Sequence, residues 1–155
     1  MRFTNLKCES LKPDFAIFEV CRLSVVKRDI ISLNVNVKLL KGPVNHSTIN
    51  LSFFKKLSGY RPFLYNSTYD FCEFMKNRNR IMHAKLFLDA ILKESNVNHT
   101  CPYDHNIIVD NLVLDESKFK YFPLPRGDYM FQMKVAAYND WKADVKIYFS
   151  ILGDL

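Results

Sequence analysis

The residues best equipped for chemistry are four cysteines and four histidines. Cys8, Cys21, Cys72 and Cys101 stand far apart in the chain, and their spacings match neither zinc-binding nor thioredoxin-like pairs. An even count with wide gaps fits two disulfides. Pairing Cys8 with Cys21 joins the first two strands across a short connection centred on Pro13-Asp14, and pairing Cys72 with Cys101 pins a helical insert at both ends. The other two connectivities stay open. The histidines are His46, His83, His99 and His105, and the last two flank Cys101 in the run Asn98-His99-Thr100-Cys101-Pro102-Tyr103-Asp104-His105. A metal or a Cys-His nucleophile is imaginable there. A disulfide is the better use of Cys101, so no metal ligand and no catalytic residue is expected. There is no Gly-x-Ser-x-Gly elbow, phosphate-cradling glycine loop or His-Glu-x-x-His pair, and the expectation is a non-enzymatic protein without a cofactor.

Four Asn-x-Ser/Thr sequons begin at Asn45, Asn50, Asn66 and Asn98. Asn45, Asn66 and Asn98 are the expected glycosylation sites. Asn50 is the weakest because it falls inside an apparent strand, whereas Asn66 and Asn98 lie in loop-like sequence. Sequons and paired cysteines together predict a secreted, extracellular protein. The chain opens as Met1-Arg2-Phe3-Thr4 on strand-like sequence without the charged and apolar regions of a signal peptide, so the expectation is a mature chain with a starting Met. Arg126-Gly127-Asp128 spells an integrin-recognition tripeptide, but Pro125-Arg126-Gly127-Asp128 reads more simply as a turn into the strand at Tyr129.

Composition narrows the partners. The chain has 155 residues, 48% hydrophobic and 14% aromatic, with 4 Gly and 6 Pro, which excludes disordered, collagenous and linker classes. Its length predicts one domain over 1–155. The apolar runs at Leu86 to Leu92 and Ile147 to Leu152 are far short of the roughly 20 residues that cross a bilayer, so the chain is expected to be soluble and not membrane-spanning. A net charge of +6 permits an acidic partner. The basic residues are dispersed, with one cluster at Lys76, Arg78, Arg80 and Lys85 and a looser group at Lys55, Lys56 and Arg61. No nucleic-acid-binding signature accompanies them, and no nucleic-acid partner is expected.

The elements that must position these residues are mostly strands. Ile31, Leu33, Val35, Val37 and Leu39 alternate with polar residues. So do Trp141, Ala143, Val145, Ile147, Phe149 and Ile151, leaving Lys142, Asp144, Lys146 and Ser150 on the outer face. Tyr129, Phe131, Met133, Val135 and Ala137 form a third such face, joined to the last strand by a hairpin turn at Asn139-Asp140. Ile49, Leu51 and Phe53 mark a fourth strand, and Phe3 to Cys8, Phe15 to Val25 and Asn106 to Leu114 bring the count to about seven. Seven short strands with turn signals between them predict a mainly β, antiparallel sandwich. Alternation stops over 69–95, where Asp70 and Glu73 resemble a capping box and Ile81, Ala84, Leu88, Ile91 and Leu92 fall at helical spacing. Lys76-Asn77-Arg78-Asn79-Arg80 is expected to break this insert into two short helices.

Five motifs in order carry a resemblance. They are Phe3-Thr4-Asn5-Leu6-Lys7-Cys8; Gly59-Tyr60-Arg61-Pro62-Phe63-Leu64-Tyr65-Asn66; Asp70 with Cys72; Asn98-His99-Thr100-Cys101-Pro102-Tyr103; and Pro123-Leu124-Pro125 with Gly127-Asp128-Tyr129. Across nearly the whole chain the sequence resembles a large insect family of small secreted proteins of unassigned function, related to the CheB chemosensory proteins. That family is distantly similar to the ML (lipid-recognition) superfamily. The resemblance implies an immunoglobulin-like sandwich whose sheets part to hold an acyl chain or sterol.

A pocket of that kind is lined mainly by hydrophobic and aromatic side chains. The inward candidates are Leu33, Val35, Phe53, Phe131, Met133, Val145, Ile147 and Phe149, each equally able to be plain core. Met75, Ile81, Leu88 and Leu92 of the insert are the candidate lid residues. The expected function is therefore a secreted binding protein for a lipid or hydrophobic semiochemical, in chemosensation. The alternative is an extracellular interaction module with a closed core that binds a receptor or glycan through its surface.

Overall fold

A computed structural model describes residues 1–114 and 124–152. Among them are eight strands: β1 (Arg2–Ser10), β2 (Ala16–Lys27), β3 (Ile30–Leu39), β4 (Ser47–Leu57), β5 (Gly59–Asp70), β6 (Ile107–Val113), β7 (Gly127–Ala137) and β8 (Asp140–Ile151). Two helices, α1 (Phe71–Lys76) and α2 (Met82–Ile91), stand between β5 and β6. The strands form two antiparallel sheets, one of five in the order β1-β8-β7-β4-β5 and one of three in the order β2-β3-β6. The mainly β sandwich expected from alternation is what the chain forms.

The strand beyond the expected seven is β5, and its sequence explains why alternation does not reveal it. Ser52 opposes Asn66 but Phe54 opposes Pro62, so the run around Phe63 and Leu64 bulges out of register, with Leu64 at φ 69°. A bulge shifts the side-chain phase, and proline removes a ladder donor. Both are tolerated here because β5 is an edge strand. Asn66, expected in loop-like sequence, therefore belongs to a strand, as do Tyr60 and Phe63. Gly59, at φ 98°, makes the tight reversal from β4 that a side chain would strain.

The β7–β8 hairpin forms one residue earlier than expected. Its loop is Tyr138-Asn139, both at positive φ, 53° and 61° respectively. That is the twist that two-residue hairpins favour.

Two disulfides hold the layers. Cys8–Cys21 joins β1 to β2, so it ties an outer strand of the large sheet to an outer strand of the small one. Cys72–Cys101 anchors α1 to the loop before β6. The insert forms as two helices separated by a 3-10 turn over Arg78–Arg80. The Asp70 carboxylate caps α1 by accepting from the Glu73 N–H at 3.0 Å, which satisfies one of the donors a helix start leaves open. Pro123, in the fifth sequence motif, lies outside the described residues.

Among the described residues the buried apolar side chains form two unequal clusters. The larger runs from Phe3, Leu51 and Phe53 to Tyr129, Phe149 and Ile151. The smaller is Phe15, Ala16, Val44 and Ala137.

Candidate functional site

A cavity of about 230 Å³ lies between these clusters. Its walls come from both sheets and from the insert. The small sheet supplies the odd positions of β3, including Leu33, Val35 and Val37, with Ile107 and Val109 of β6. The large sheet supplies Ile49, Met133, Val145 and Ile147, and α2 supplies Ala84, Phe87, Leu88 and Ile91. Val35, Val37, Val109 and Ile147 stand on inner strand faces yet are only half-buried, packed against the clusters on one side and bordering the cavity on the other. The volume exceeds the ~150 Å³ apolar cavity known to hold benzene and falls below the ~300–1,000 Å³ of drug-sized sites. That is room for a small or slender apolar group.

Of the twelve candidate residues, Leu33, Val35, Leu88, Met133, Val145 and Ile147 line the cavity. Phe53, Phe131 and Phe149 do not. They pack into the filled end of the large sheet around Tyr129. The Phe53–Tyr129 ring centroids are 5.5 Å apart, and the Tyr129–Phe149 centroids are also 5.5 Å apart, separations at which aromatic rings attract. Met75, Ile81 and Leu92 lie within or against the larger cluster and do not border the cavity. Phe87 of α2 stacks on Phe131 at 4.6 Å and 19°, so this pair partitions the aromatic end from the cavity. Sequence reasoning missed Ala84, Phe87 and Ile91 as lining residues, although Ala84 and Ile91 already sat on the helical stripe.

At the other end the alternation of β8 fails. Val135 opposes Ala143 but Ala136 opposes Trp141, which leaves Lys142 as an extra residue bulged out of the β7–β8 ladder. A bulge re-aims side chains. Trp141, expected inward, is 42% exposed, while Lys142, expected outward with Asp144 and Lys146, lines the cavity with its side chain only 14% exposed. Its ammonium is 3.3 Å from Asp140 Oδ2 and 4.7 Å from the centre of the Phe15 ring, close enough for a cation–π attraction. Asp140 also faces Lys12 Nζ at 3.8 Å, and both side chains are about half exposed, so the ion pairs beside Lys142 reach solvent.

The remaining singled-out residues are held in structure. His99 Nε2 meets His105 Nε2 at 2.7 Å beside the Cys72–Cys101 disulfide, and no group of three or more potential metal ligands occurs among the described residues. Tyr103 borders the cavity and donates its hydroxyl to the His99 carbonyl. Burial pushes its phenol above the ordinary value, because the charged form is the one that loses hydration. Burial does the same to Tyr129, whose hydroxyl donates to the Pro125 carbonyl at 2.6 Å. Gly127 and Asp128 lie in β7, where the Ser150 hydroxyl donates to the Asp128 carboxylate. In the basic cluster, Lys76 pairs with Glu73 at 3.3 Å and Lys85 with Asp89 at 2.9 Å. Asn45, Asn66 and Asn98 are exposed. Asn50 lies in β4 and donates its amide to Asn66 Oδ1 at 2.8 Å and Thr68 Oγ1 at 2.9 Å.

No helix among the described residues is long and apolar enough to cross a membrane. No curated protein matches the chain. The family model described as a protein of unknown function, DUF1091, matches residues 49–131, from β4 through the helical insert into β7, more than half of the chain; the chain belongs to that family.

Proposed function

We propose that this protein is a secreted carrier for a small hydrophobic molecule, held between the sheets and covered by α2. The observation that carries the reading is the 230 Å³ cavity with apolar walls drawn from three layers. A core filled to the usual packing density would have no such space, which weighs against the closed-core alternative. The two disulfides fit an oxidising compartment, and the resemblance to secreted chemosensory and lipid-recognition proteins points the same way. Nothing in the reading requires catalysis; the protein binds and releases.

Native mass spectrometry of the protein secreted from insect cells tests this directly. The expected result is a mass with two disulfides, glycans on exposed sequons and a non-covalently bound small apolar molecule. A delipidated sample should also take up a neutral fluorescent probe that a medium-chain alcohol displaces. A protein that carries nothing and takes up neither probe nor alcohol is not a carrier.

A further inference from the structure

We propose that Lys142 is the head-group site of the cavity, and that the preferred ligand is a single-chain amphiphile ending in a carboxylate, its tail extending toward the Phe87–Phe131 partition. This rests on the carrier reading above and names its ligand class. The bulge in β8 is the first support. An unbulged β8 would send this lysine to the solvent face. The extra residue instead brings it to a wall that is otherwise almost wholly apolar.

Charge is the second support. An ammonium has three donors, and the hydrogen bond found for Lys142 Nζ goes to Asp140 Oδ2. Asp140 is shared with Lys12, and the neighbouring Lys41 is paired with Asp14 at 3.1 Å. These five side chains therefore carry three positive and two negative charges, and one ligand carboxylate makes the group neutral. Lys142 lines the cavity beside Phe15, and its partner Asp140 is about half exposed, so a ligand carboxylate drawn to this ion pair would keep part of its hydration while its chain is enclosed. The cavity volume of about 230 Å³ admits one such chain.

The test compares decanoate with methyl decanoate, each below its micelle concentration, in displacing a neutral probe from the delipidated full chain, its disulfides intact. Wild type should prefer the carboxylate by about tenfold or more, near the lower end of what a hydrogen bond to a charged group contributes. Lys142→Met keeps the stalk against Phe15 and should abolish the preference, read as the ratio of acid to ester affinity within the variant. Lys142→Arg should retain it. Equal binding of acid and ester by wild type overturns the assignment with no variant needed, and so does a preference that survives Lys142→Met. Both of those results leave the carrier reading standing. Failure of wild type to bind either ligand overturns the carrier reading and this inference with it.

Discussion

Replacing Ala143 by leucine sets stability against binding. Ala143 lies in β8 between Ser10 of β1 and Val135 of β7, is 9% exposed, and borders the cavity. In a filled core three added carbons would be overpacked and cost roughly 1–3 kcal/mol. Here they enter existing space. At about 0.8 kcal/mol per buried carbon the gain is about 2.4 kcal/mol, less roughly 0.5–1 kcal/mol for the ordered leucine side chain. A net gain of about 1.5 kcal/mol raises the melting temperature by about 3–6 °C for a chain of this size. The same carbons occupy the room of about three ligand methylenes, a loss of about 2.4 kcal/mol or roughly fifty-fold in affinity for a neutral medium-chain alcohol. Urea unfolding and probe displacement on the same preparations read both quantities. A variant that is destabilised by a kilocalorie or more and binds the alcohol as wild type does would refute the reasoning, since the cavity would then be closed in solution and the alcohol bound elsewhere.

Removing the Cys72–Cys101 disulfide with a double serine variant releases a loop with a sequence separation of 29. The chain-entropy estimate is about 3.6 kcal/mol, so the thermal midpoint should fall by about 10 °C, a shift that calorimetry resolves. Asp70→Ala removes the hydrogen bond to the Glu73 N–H at the start of α1. It should cost about 1 kcal/mol and speed amide exchange in α1 ahead of the sheets. Stability should fall in alkali, because Tyr60, Tyr103 and Tyr129 all have phenols pushed up, chiefly by burial. The unfolded chain ionises near pH 10 while the folded phenols stay neutral, so their contribution is whole below about pH 10 and is lost as pH rises through the folded values. Urea midpoints between pH 8 and 11 should show this fall, and Tyr129→Phe should make it shallower.

Alternation made β3 legible because Leu33, Val35, Val37 and Leu39 border the cavity and Ile31 packs on the larger cluster, and the same signal placed β7 and β8 as a hairpin. It failed in β5 and at the start of β8, where pairing inserts a residue. In β5 the displaced run near Leu64 and the proline at 62 erase the period of two. In β8 the extra residue at Lys142 reverses the phase of its first turn, and a bulge depends on the partner strand, not on the local sequence. The cavity itself is legible only by half. Met133 and Phe131 share one face of β7, as Ile147 and Phe149 share one of β8. Which of each pair meets the cavity is decided by how Tyr129 packs against Phe53 and Phe149, a contact between distant segments.

The cavity follows from a mismatch in sheet width. With strands about 4.8 Å apart, five strands span about 19 Å and three about 10 Å, leaving about 10 Å of the large sheet without a facing strand. That deficit equals the diameter of one helix with its side chains. The insert fills it: α1 contacts β4 and β5, and the turn after α2 contacts β6, where Ser95 bridges Val109. The disulfide between β1 and β2 closes the opposite side of the sandwich. Small Ala84 and planar Phe87 on α2 leave space between helix and sheet instead of filling it. The insert thus contributes both to the packed core and to the wall of the space left in it. Because α2 is held by apolar packing and by the loop tied at Cys101, rather than by a hydrogen-bonded ladder, the carrier reading predicts that its amides exchange faster than those of the sheets.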